Sequence, residues 1–150
     1  MDIGPIEREL LVEEAQALAG AVQDERIRGR YERLAAALDG GSVDGADLTM
    51  LENLLELGLQ TGRLRKRYTA EGEQALLRLF QKTPRGIAVT TATGEVNQAL
   101  AALQGQTLTG VAFTSRAPGV YGLTLDTDAG HFSLRIHPEG ITLDTVELDF

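Results

Sequence analysis

Residues 107–148 read TLTGVAFTSRAPGVYGLTLDTDAGHFSLRIHPEGITLDTVEL, and the alternation in this stretch decides the fold. Four β-rich runs, 107–115, 120–127, 131–137 and 141–148, are separated by short clusters of turn residues. Joining the first two through Ala117, Pro118 and Gly119 sets Phe113 opposite Leu123 and Val111 opposite Leu125. A two-residue turn at Ala129 and Gly130 sets Asp128 against His131, Leu125 against Leu134 and Leu123 against Ile136, with Thr127 and Phe132 outermost. Two separate turns thus gather the apolar side chains on one face, which the two-residue period of a meander requires. In the last run the alternation changes phase between Leu143 and Val146, which predicts a bulge near Asp144 and Thr145.

Immediately upstream, Ile87 to Thr91 reads as a short strand, because four of its five residues are β-branched. A helix follows from about Gly94 to Gln104, carrying Val96, Leu100 and Leu103, with Gly105 at the position just past its end. The β–α–ββββ order from 87 onward resembles the cystatin-type arrangement, in which a sheet wraps one helix. That resemblance implies an architecture and no activity. It places the helix at 94–104 on the face bearing Val111, Phe113, Leu123, Leu125, Leu134 and Ile136.

The period in the first half is helical. Pro5 suits a first turn, and Leu11, Ala15, Leu18 and Val22 recur on one stripe, with Glu7, Glu9, Glu13 and Glu14 around the rest. Ile27, Tyr31, Leu34 and Leu38 form a second stripe over 24–38. The loop from Asp39 to Asp47 ends in a cap, Asp44 or Asp47, for a third helix with Leu48, Leu51, Leu55 and Leu59 aligned. Thr69 caps a fourth over about 70–82, which Pro84 and Gly86 bring to an end. The fold class is therefore α+β: a helical segment of about four helices over 1–86, then a β-α-ββββ antiparallel segment over 87–150. The two are expected to share a core.

Composition narrows the chemistry. A 150-residue chain with 43% hydrophobic residues can bury a core. It has no cysteine, which removes disulfides, thiolate metal sites and thiol nucleophiles together. The start, Met1 to Glu7, lacks the basic and apolar regions of a secretory signal. The longest apolar stretch, 17–22, is far short of the roughly 18 residues that span a bilayer. The expectation is a cytoplasmic protein without a membrane association.

Few groups are suited to catalysis. His131 and His137 lie on one strand with Ser133 and Arg135 on its polar side. Six residues of strand hold the two imidazoles roughly 20 Å apart, so one metal cannot take both from one chain. Asp128 facing His131, with Asp126 diagonal to it, reads as an ion pair at a solvated hairpin. Nothing walls off these carboxylates, so neither is set up as a general acid. Thr90 to Gly94 contains hydroxyls that serve as a helix cap, and the 39–47 loop departs from the ligand spacing of a calcium hand. No catalytic residue, metal site or cofactor is assigned.

The formal charge is −8, yet it is unevenly spread. The first helix and the residues after 87 are acidic, whereas 26–38 and 63–67 are basic. The run Arg63-Leu64-Arg65-Lys66-Arg67 is the sharpest local feature. Leu57-Gly58-Leu59, then Arg65 to Gly72, is similar to the end of winged-helix domains, where a recognition helix ends in Gly-Leu, a basic wing follows and Thr-x-x-Gly opens the last helix. The resemblance covers about 30 residues. It implies that Arg63, Arg65, Lys66 and Arg67 are wing contacts to phosphate. The competing reading places these cations at a helix end, paired with acidic neighbours.

The expected function is a non-catalytic protein-interaction module of accessory, adaptor, chaperone-like or immunity type, with a protein partner. One alternative is a nucleic-acid-binding regulator using 63–67. Another is a small-ligand binder or enzyme using the polar sheet face of Asp126, Asp128, His131, Arg135 and His137. An open edge strand leaves a homodimer available.

Overall fold

The computed structural model describes residues 1–149 and divides the chain into two units, Met1–Gly86 and the residues from Ile87 onward. The order is helices first and an antiparallel meander last, an α+β fold.

In the first unit, α1 (Pro5–Ala21) starts with Pro5 at its opening position, where a missing N–H costs nothing. The Asp24 side chain accepts from the Arg26 and Ile27 amides and so starts α2 (Glu25–Asp39). A connection over 40–44 leads into α3 (Gly45–Gln60). There Ser42 forms an isolated antiparallel bridge with Asp2, while Val43 accepts from the N-terminal amine. The core of this unit gathers Leu11 and Ala15 of α1, Leu34 and Leu38 of α2, and Leu51, Leu54 and Leu55 of α3. Leu64, Leu76 and Leu79 complete it.

The basic run itself folds as a short helix, α4 (Arg63–Arg67), entered through Gly62 in the left-handed region. The wing implied by the winged-helix resemblance is therefore a turn of helix. Gly62 resets the chain direction, and Leu64 on α4 is buried against the core. Gly58 makes room for it: a Cβ there would stand 2.7 Å from Leu64 Cγ. The expected cap at Thr69 is present, its hydroxyl accepting from Gly72 N at the start of α5 (Ala70–Phe80).

The last helix, α6 (Pro84–Ala101), corrects the strand expected at Ile87 to Thr91, which lies inside it. Pro84 opens α6 and does not close α5. The Thr83 hydroxyl accepts from Gly86 N at 3.1 Å, and Glu52 Oε1 accepts from Arg85 N at 2.8 Å. These caps fix the first turn before the β-branched residues arrive, whose reluctance in a helix is only a few tenths of a kcal/mol each. The β–α–ββββ order of the cystatin-type resemblance therefore lacks its first strand.

In the second unit the meander runs β1 (Leu108–Ala117), β2 (Val120–Thr127), β3 (Gly130–His137) and β4 (Gly140–Leu148), paired in sequence order. Phe113 faces Leu123 and Val111 faces Leu125, the register read from the sequence. Between β3 and β4, Ser133 faces Thr145 and Leu134 faces Leu143, so Asp144 is the extra residue of the expected bulge. The central hairpin differs by two residues. Its turn is Asp128 and Ala129, so Leu125 faces Phe132, Leu123 faces Leu134, and Asp126 rather than Asp128 faces His131. A shift of two preserves the faces, and the apolar side remains one surface.

That surface is unevenly covered. Phe132 and Leu134 are buried, whereas Val111 and Phe113, both assigned to the cover of a helix, are open to solvent.

Candidate functional site

Three of the four cations at 63–67 meet carboxylates within the helical unit. Arg63 Nε donates to Glu14 Oε1, and Arg67 reaches Glu14 Oε2 at 3.3 Å and Glu13 Oε1 at 3.0 Å. Arg65 donates to Glu73 at 2.8 Å, and that bond holds its guanidinium above the ordinary value. Lys66 lies exposed on the same helix. The arrangement fastens α4 to α1 and α5.

Glu14 departs from the sequence expectation, which puts it with Glu7, Glu9 and Glu13 on the charged side of the first helix: only 1% of its surface is accessible. The signal was in the spacing, since position 14 stands between Leu11 and Leu18 on the apolar stripe. Burial of a carboxylate is tolerable because its oxygens are satisfied: Arg63 and Arg67 flank it, and the Tyr68 hydroxyl lies 3.3 Å from Oε2. The Tyr68 hydroxyl also lies 3.1 Å from the Leu10 carbonyl. Burial pushes Tyr68 up to about 12, with the Glu14 and Glu13 carboxylates adding to the push and Arg67 opposing it. The raised Tyr68 phenol therefore stays neutral around neutrality. An open groove beside them is lined by Ile6, Leu10, Tyr68, Gly72, Ala75 and Arg78.

The polar side of the sheet holds the second constellation. His131 Nδ1 lies 2.6 Å from Asp126 Oδ1. On its other side His131 faces Glu147 of β4. Asp128 is absorbed by the hairpin, its Oδ1 accepting from Thr107 N at 3.0 Å. His137 sits at the far end of β3 opposite Gly140, well away from His131. Arg135 donates to Asp144 at 2.9 Å, and Arg116 reaches the other oxygen of Asp144 at 3.0 Å. The bulge makes this possible, because the extra residue turns its side chain to the polar face while Leu143 and Val146 stay on the apolar one. Among the described residues, no cluster of three His, Asp or Glu is placed to hold a metal ion.

Arg116 and Asp144 belong to no motif that points to a site in the sequence. The phase change in β4 located Asp144 without saying where it points, and Arg116 crosses above Gly122, where a Cβ would stand 3.1 Å from its Nε.

The third feature is the open edge. β1 pairs on one side only, with β2, and nearly all of it is exposed. On the apolar face Phe113 stacks on Tyr121 with ring centroids 5.5 Å apart and Val111 is exposed two residues along β1, while Leu108 at the start of β1 and Val146 on β4 are exposed elsewhere. Among the described residues no helix is long and apolar enough to cross a membrane. Compared with protein-family models, curated proteins and solved structures, the chain matches none of them.

Proposed function

We propose that the chain is a non-catalytic protein-interaction module, a cytoplasmic accessory protein of adaptor, chaperone-like or immunity type, working through β1 and the apolar face beside it. One observation carries the reading. Val111 is 61% and Phe113 62% exposed on a strand whose outer edge is unpaired. Burying such side chains stabilises a complex in proportion to the apolar area removed from water, and a free strand edge supplies directional backbone hydrogen bonds. Contiguous exposed apolar surface of this kind marks interaction sites. The ionisable groups elsewhere support the same reading, since Glu14 is engaged with Arg63 and Arg67, Arg65 with Glu73, and Arg135 with Asp144.

The test is capture from lysate by the wild-type chain and by Phe113→Ser, compared by mass spectrometry at moderate salt. The reading predicts a protein retained by wild type and lost with Phe113→Ser. Equal retention by both, or salt-sensitive retention of DNA or RNA that Lys66→Glu removes, overturns it.

A further inference from the structure

The two open edges of the meander are built differently. β4 is interrupted by the bulge at Asp144 and carries Glu147, two devices that discourage a further strand. β1 has its irregularities only near its ends, between Leu108 and Gly110 and between Ser115 and Ala117. Between them Gly110-Val111-Ala112-Phe113-Thr114-Ser115 is regular, exposed or half-exposed throughout, and free of charge and proline.

We propose that β1 pairs antiparallel with β1 of a second copy of this chain about a two-fold axis at Ala112, joining two meanders into one eight-stranded sheet. The proposal rests on the interaction reading above and names its partner. Symmetric pairing sets a strand's own residues against each other, so a charge near the axis meets its like and opposes association. The stretch Gly110–Ser115 has none, and Arg116, the one charge in β1, lies on the terminal irregularity and is held by Asp144 of its own chain.

The axis at Ala112 follows from the side chains. Ala112 faces itself, where a small residue fits. Val111 faces Phe113 twice, a β-branched–aromatic pair that favours antiparallel strands. Gly110 faces Thr114, and all five pairings stay between the irregularities. An axis at Phe113 instead sets Gly110 against Arg116 on the bulge. No like charges are opposed across the Ala112 axis. The Asp126 carboxylate overhangs Gly110, where a Cβ would stand 2.9 Å from its Oδ2. Across the axis it meets Thr114 of the second copy, with Arg116 diagonal to it.

The chain has no cysteine, so single thiols report the geometry cleanly. Directly opposed antiparallel residues have Cα atoms roughly 4.5–5.5 Å apart, within the range a disulfide bridges. Two residues off the axis, the equivalent pair is about 13 Å apart. Under mild oxidation Ala112→Cys forms a disulfide-linked dimer and Thr114→Cys stays reduced. In sedimentation, wild type forms a dimer that dissociates on dilution, and Ala112→Lys is monomeric with an unchanged circular dichroism spectrum. A wild-type monomer at every concentration, or equal cross-linking of the two cysteine variants, overturns the proposal. If wild type is monomeric and Ala112→Lys still loses a captured protein, the second copy is refuted and the interaction reading stands. If it is monomeric and capture is indifferent to Ala112→Lys, both fail.

Discussion

The Tyr68 hydroxyl sits 3.3 Å from Glu14 Oε2, joining side chains 54 residues apart in sequence. With Arg63 and Arg67 on the same carboxylate, this contact turns a basic run that looks like a ligand surface into an internal fastening of the helical unit.

The two sides of that fastening are unequal. Glu14 is buried, whereas the guanidiniums of Arg63 and Arg67 are partly exposed and can turn to water. Removing both cations with Arg63→Ala and Arg67→Ala strands a buried carboxylate and costs about 3 kcal/mol or more. Glu14→Leu costs less than that double variant, because the freed cations are solvated. Urea midpoints at neutral pH check the ordering.

The raised Tyr68 value has a direction in pH. The folded state holds the phenol proton up to about 12, while the unfolded chain releases it near the ordinary tyrosine value of 10.0. Its contribution is fully present below the unfolded value and is lost as pH rises through this window, where the folded state binds more protons. Wild type therefore loses stability between these two values, and Tyr68→Phe flattens that part of the profile. Phenolate absorbance of the folded protein should show a late component that Tyr68→Phe removes.

On the apolar face of the sheet, two phenylalanines separate structure from function. Phe132 is fully buried, so Phe132→Ala costs about 3–5 kcal/mol through lost burial and a cavity. Phe113 is open, and Phe113→Ala leaves the melting temperature within a few degrees while removing the interaction. Thermal unfolding and sedimentation on the same two variants separate the effects.

Much of the sheet was legible because alternation with period two fixes which face a side chain takes. It does not fix which residues oppose one another, hence the two-residue slip at the central hairpin. The sequence pattern also allows a turn at Ala129 and Gly130, but Gly130 does not lie in it. Instead it begins β3, where a Cβ would stand 2.6 Å from the Glu147 carbonyl oxygen. The strand expected at Ile87 failed for a different reason: its local preference was overruled by caps at Thr83 and Glu52, and Glu52 is distant in sequence. Glu14 escaped because a carboxylate on an apolar stripe reads as a solvated acid until its partners, 49 residues and more away, are in place. An open edge strand was legible, but only the pairing showed that β1 is one such edge and that its irregularities lie near its ends.

Close approach at Gly86 gives a further check. A Cβ there would collide with the Phe80 carbonyl and lie 2.8 Å from Gln81 Cα, backbone that cannot swing aside. Gly86→Ala is expected to cost about 3 kcal/mol or more, whereas Gly94→Ala, with open space around it, is neutral or slightly stabilising. Denaturant titration of the two variants decides this.

The most direct measurement is hydrogen exchange along the sheet, comparing the free chain at high dilution with the complex eluted after capture. Peptides covering Gly110–Ser115 should exchange fast in the free chain and slow markedly in the complex, with β4 unchanged. Exchange in β1 that is the same in both, or protection confined to β4 or α4, would contradict the assignment of β1 as the interaction edge.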